Sequence, residues 1–122
     1  MENARLQLVL LHHTRIDEPH YDVMFETAPG SLLTTFRLPA PPSHDAIRAE
    51  KLGDHRRDYL EYEGSVSNNR GQVRRVARCS CWINEHSSNR ISLTLDPMPP
   101  FDRNLLFWKD VDGIWQCMNE AY

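Results

Sequence analysis

Two short clusters hold the residue types that site chemistry needs. The first runs from His12 and His13 through Arg15 to His20 and Asp22. If residues 20–26 form a strand, His20 and Asp22 face the same way, because side chains alternate with period two, and their Cα atoms lie about 7 Å apart. An imidazole and a carboxylate at that spacing can converge on one ion. His13, at the end of the preceding apolar segment, adds a third ligand if the two strands pair. Two histidines and one carboxylate leave coordination positions open, as in a catalytic rather than a sealed structural site. A hydrogen-bonded pair at a strand end fits the same spacing.

The second cluster is Asp54-His55-Arg56-Arg57-Asp58-Tyr59, in which Tyr59 follows His55 by four residues. These types suit phosphate chemistry. A histidine protonates a leaving oxygen or bonds a phosphoryl oxygen, a tyrosine donates to another, and arginine neutralises charge. An exposed polar loop ahead of a strand would read the same way.

The elements that must carry these residues read as short strands. Residues 5–12 are β-rich, 20–26 follow a polar connection, and 31–38 lie between Pro29-Gly30 and the prolines at 39, 41 and 42. Residues 59–66 and 72–83 suggest a hairpin around 67–71, where Asn68, Asn69 and Gly71 tolerate positive φ. Residues 90–95 alternate, with Ile91, Leu93 and Leu95 on one face. Residues 104–109 and 114–118 flank Asp112-Gly113, and 43–52, with Ser43 as a cap, is the best helix candidate. These elements predict a mainly β, single domain over residues 1–122: a small closed or nearly closed β-barrel of about eight strands with one or two short flanking helices.

Composition bounds the function classes. The 122 residues are 40% hydrophobic, which argues against disorder. The longest apolar run, 8–11, is far below the roughly 18 residues of a membrane helix. Three cysteines, an odd number in a small chain, point to a reducing compartment, and a cytoplasmic location is expected. Cys79 and Cys81 read as thiols rather than a soft-metal site, and Trp82, Trp108 and Trp115 as core rather than base-stacking residues. The formal charge of -3 conceals a basic centre: residues 47–78 hold eight basic and five acidic residues. Such local potential can meet a polyanion, as it can also be a solvated strand face.

Taken together, the two clusters resemble the 3'-phosphoesterase domain of bacterial ligase D and its stand-alone homologues. That family's strand reads His-Tyr-Asp-Leu-Arg-Leu-Glu, and here it is His20-Tyr21-Asp22-Val23-Met24-Phe25-Glu26, with His13 seven residues upstream. The family's Trp-Ala-Val-Pro is similar to Phe36-Arg37-Leu38-Pro39. Its Glu-Asp-His-Pro-Leu-Glu-Tyr segment, followed by Glu-Gly, is similar to Gly53-Asp54-His55-Arg56-Arg57-Asp58-Tyr59 and Glu63-Gly64. Similarity covers residues 6–83 and returns weakly at 104–117.

The resemblance implies a β-barrel that removes 3'-terminal phosphate or ribonucleotide from DNA ends with a divalent ion, manganese first and zinc or cobalt as alternatives. DNA or RNA–DNA 3' ends would be the partners, with a separate ligase or polymerase as a further one and no membrane. Carried over, His13, His20 and Asp22 are the metal ligands. His12 competes for the first position, because the family spacing falls on Thr14. His55 and Tyr59 engage the phosphate. The chain departs from the family at Met24, where the family has Arg, and in its shortened Gly-rich segment. Arg15, Arg48, Arg56 and Arg57 are the stand-in candidates for the phosphate-binding cation. The alternative is a catalytically impaired nucleic-acid or protein-binding module on the same barrel.

Overall fold

A computed structural model describes residues 4–66, 70–96 and 98–120. Nine-residue β1 (Leu6–Thr14) is followed by β2 (His20–Glu26) and β3 (Leu33–Leu38), two tight antiparallel pairings in succession. Two short strands, β4 (Ile47–Arg48) and β5 (Glu50–Lys51), precede a 3-10 turn at Arg57–Leu60 and β6 (Gly64–Ser65). The long strand β7 (Gln72–His86), β8 (Arg90–Leu95), β9 (Asn104–Lys109) and β10 (Trp115–Glu120) complete one antiparallel sheet. Its order is β4-β10-β9-β8-β7-β1-β2-β3-β5, with β6 added to β7.

The mainly β class is as expected, but the sheet counts ten strands and its ladders do not close, in place of the expected closed or nearly closed barrel of about eight. It does roll up. Phe36 of β3 stacks on Phe107 of β9 at 4.0 Å between ring centroids and meets Trp115 of β10 edge-on at 5.1 Å. These strands are far apart in the ladder order, so only a strongly curled sheet brings the rings together. Phe25, Phe36 and Phe107 are fully buried there with Leu8, Leu10 and Leu93. The alternation read in 90–95 appears as Ile91, Leu93 and Leu95 facing this core.

The expected helix over 43–52 is absent. Ile47 and Ala49 alternate with exposed Arg48 and Glu50, a period of two. The segment instead supplies backbone partners to both ends of the strand order: Ala49 N–H donates to Trp115 O at 2.9 Å and Leu52 N–H to Thr35 O at 3.0 Å. Unpaired edge groups on β10 and β3 are costly, and satisfying them outweighs a weak helical preference. Among the described residues there is no α-helix, and no helix is long and apolar enough to cross a membrane. The hairpin expected from 59–66 survives only as Gly64–Ser65, since the 3-10 turn takes Tyr59 and Leu60. Asn68 and Asn69, expected at its tip, lie outside the described residues. Cys79, Cys81 and Cys117 are buried free thiols. Burial pushes Cys79 up to about 11 and Cys81 up to about 12, so all of them behave as core residues.

A second apolar layer matters more for the site. On the opposite face of β1 and β2, Val9, Leu11 and Met24 pack with Leu33, Val73 and Leu60 of the 3-10 turn, and Tyr59 leans on this group.

Candidate metal centre

β1 and β2 pair so that His13 lies directly across from His20 and Leu11 across from Asp22. Cross-strand partners share a face, and so do residues two apart. His13, His20 and Asp22 are therefore delivered to one spot at the end of the second apolar layer. One ligand atom from each lies within 4.8 Å of the others. His20 and Asp22 are 8% and 6% exposed, so water cannot readily take over the role of a missing partner.

A backbone carbonyl beside each ring favours one tautomer for it. His20 Nδ1–H donates to the Glu18 carbonyl at 2.9 Å, which leaves Nε2 as an electron-pair donor. His13 Nε2–H donates to the Arg70 carbonyl, which leaves Nδ1 as the donor. These two lone-pair nitrogens face each other at 3.2 Å, and Asp22 Oδ2 lies 3.4 Å from His20 Nε2. With both rings neutral, neither nitrogen has a proton to offer the other or the carboxylate. In that state three electron-pair donors converge, and either a proton on one ring or a bound cation would relieve their repulsion. Carbonyls behind the rings are the usual means of orienting metal-ligating histidines. The donor set, two imidazoles and one carboxylate, fits manganese, zinc or cobalt.

His12 is excluded from this group. It lies on the other face, stacked on Tyr21 with 4.2 Å between centroids and 3° between planes. Burial first, then the Arg74 guanidinium and His20, hold its pKa below the usual histidine range.

A cation that sequence reasoning did not select is paired with Asp22. Arg37 is the cross-strand partner of Asp22, and its Nε donates to Asp22 Oδ1 at 3.3 Å. The signal that would have found it is the register of the β2–β3 hairpin: closing Glu26 against Leu33 puts Arg37 opposite Asp22. Arg37 and His20 also line a cavity of about 1030 Å³ shared with Arg48, Lys51 and Trp115.

The other expected arginines are dispersed. Arg15 is exposed in the β1–β2 connection at φ 58°. Arg57 is committed elsewhere: its Nη1 donates to Glu26 Oε2 at 2.5 Å and to the Ser31 carbonyl at 2.8 Å. Arg75 and Arg78 likewise donate to the Leu60 carbonyl, and Arg78 also to Glu61. Much of the basic central segment thus ties the 3-10 turn to the sheet, while Arg48, Arg56 and Arg74 stay exposed.

His55 and Tyr59 do form a pair, edge to face at 5.6 Å between centroids. His55 is bridged through its backbone to Leu33 and donates from Nδ1 to the Gly53 carbonyl at 2.9 Å, which orients the ring. Leu33 is four residues along β3 from Arg37, about 13 Å of strand. The pair shares the sheet face of the metal ligands without touching them. What lies between is Arg70, whose carbonyl holds His13. Arg70 also lines a cleft of about 340 Å³ with Arg56, Asp58, Tyr59 and Tyr62.

No known family model matches this chain, and a search of curated proteins finds no match either.

Proposed function

We propose that the protein is a divalent-metal-dependent phosphoesterase acting on 3'-phosphate or 3'-ribonucleotide ends of DNA, with manganese as its metal and zinc or cobalt as alternatives. The observation that carries the reading is the convergence of His13 Nδ1, His20 Nε2 and Asp22 Oδ2, with a backbone carbonyl beside the other nitrogen of each ring. The resemblance of the His20–Asp22 and His55–Tyr59 motifs to ligase D phosphoesterases supplies the substrate class.

A cation bound there supplies Lewis-acid charge against a phosphoryl oxygen. The chain's own residues do the rest. Arg37, paired with Asp22, presents its remaining donors to a second phosphoryl oxygen. With a terminal phosphate held there, the nucleotide strand would run toward the His55–Tyr59 pair, about 13 Å of strand away, where His55 and Tyr59 engage a flanking phosphate. Water attacks phosphorus and loses a proton, the bond from phosphorus to the 3'-oxygen breaks, and that oxygen takes up a proton from solvent. DNA or RNA–DNA ends are the partners, and a separate ligase or polymerase would take over the resulting 3'-hydroxyl.

The test is release of phosphate from a labelled primer ending in 3'-phosphate, with manganese or with EDTA. Wild type releases it only with metal, and His20→Ala or Asp22→Ala abolishes release. Arg37→Ala lowers turnover about tenfold to a hundredfold, the value of one charge-assisted hydrogen bond. A wild-type protein inert on every 3'-modified primer, across manganese, zinc and cobalt, overturns the enzyme reading. One observation favours the second reading, a binding module on the same rolled sheet: the position of the family's arginine is Met24, 2% exposed in an apolar layer. That module would retain primer binding in EDTA while releasing nothing.

A further inference from the structure

The chain has five glycines, and at four of them an added Cβ would meet nothing within 4 Å. Gly71 is different. At φ +87° a Cβ there would lie 2.3 Å from the Thr14 carbonyl oxygen, 2.7 Å from Ile16 Cγ2 and 3.1 Å from His13 Nε2. The first of these obstacles is backbone and has no rotamer to escape into. The positive φ is a second requirement that only glycine meets without strain. Gly71 immediately precedes Gln72, which pairs with Thr14 where β7 begins. Its carbonyl also accepts the Val66 N–H at 2.8 Å. The chain therefore turns tightly against the end of β1, and the Arg70 carbonyl arrives at His13 as a result.

We propose that Gly71 is the positioning residue of His13. Its missing Cβ lets the Arg70–Gly71 peptide close on β1, the Arg70 carbonyl accepts a hydrogen bond from His13 Nε2–H, and Nδ1 is left turned toward His20 and Asp22. The inference rests on the metal reading for its purpose, but its geometry concerns the chain alone. Outer partners of metal-ligating histidines are worth about tenfold to a hundredfold in metal affinity. Gly71→Ala is expected to weaken manganese binding by that factor, because the peptide must retreat and His13 loses its acceptor.

Two measurements on the full chain test this. Titration with manganese, followed by the electron paramagnetic resonance of the free ion, compares wild type, His20→Ala and Gly71→Ala. Long-range proton–nitrogen spectra of the metal-free protein, with the rings neutral, report which nitrogen of His13 carries the proton. Wild type is expected to hold it on Nε2, and Gly71→Ala to show a mixture of tautomers, a change that a loss of stability alone does not produce. Binding by Gly71→Ala within twofold of wild type overturns the inference, as does a wild-type His13 protonated on Nδ1. If Gly71→Ala fails to fold, the wild-type tautomer alone decides. Should wild type bind neither manganese, zinc nor cobalt while His13 holds its proton on Nε2, the metal reading fails and the positioning by Gly71 stands.

Discussion

Met24 is 2% exposed, with Val9, Leu11, Leu33, Leu60 and Val73 around it, and it shares the face of Asp22 two residues before it. An arginine at this place would have to bring its charge through the apolar layer that the 3-10 turn closes with Leu60. Asp22 already has a guanidinium, from Arg37. Placing an arginine there is therefore expected to damage this protein: Met24→Arg should cost about 3 kcal/mol, the order of an uncompensated buried charge, with further strain from the added volume. Urea denaturation of wild type and variant checks this, and an unchanged midpoint would mean that the layer opens to admit the cation.

At the scale of elements, the 3-10 turn Arg57–Leu60 is held to the β2–β3 hairpin by Arg57 and Glu26. The Glu26 side chain is 5% exposed and also accepts the N–H groups of Gln7 and Gly30. Burial by itself raises the pKa of this carboxyl, but the Arg57 hydrogen bond and the two backbone donors outweigh it, and the net shift is downward from 4.5. A carboxyl depressed in the folded state adds stability that is complete above its unfolded value and is lost as pH falls through the folded one. Wild type should thus lose stability below about pH 4.5 more steeply than Glu26→Gln. Denaturation midpoints of the two proteins, compared from about pH 3 to pH 6, read the difference directly, and parallel curves would contradict it. The variant should also loosen the turn that carries Tyr59.

These elements also show why the site was partly legible in the sequence. His13, His20 and Asp22 need only one connection and the period of two, both of which are local. Arg37 needs the register of the next hairpin, and Gly71 needs the tertiary approach of β7 to β1; neither leaves a periodic trace. Residues 43–52 misled because a capping serine and spaced apolar residues resemble a helix start. Their conformation is set instead by two strand edges that lie far away in sequence.

At the scale of the whole molecule, the contact between Phe36 and Phe107 measures how the sheet is held in its rolled form. No ladder joins β3 to β9 or β10, so side-chain packing, with the short strands β4 and β5, must keep the two ends of the strand order together. Both rings are fully buried, and Phe107 also stacks on Phe25 at 6.0 Å. Replacing Phe107 by alanine should cost about 3–5 kcal/mol, the usual loss for a buried phenylalanine. The loss should fall on both cores at once, because β2 and β3 carry Phe25 and Phe36 on one face and Met24 and Leu33 on the other. Val111, fully exposed in the β9–β10 turn, is the control, and Val111→Asp should stay within about 0.5 kcal/mol of wild type. Hydrogen exchange distinguishes a rolled sheet held by packing from one held by its ladders. In Phe107→Ala, amides of β3 and β10 should lose protection together, although they are at opposite ends of the strand order. Protection lost from β8, β9 and β10 but kept in β3 would show that the two ends are independent, and that the His13–His20–Asp22 cluster on β1 and β2 is held by the central ladders without help from the aromatic contact.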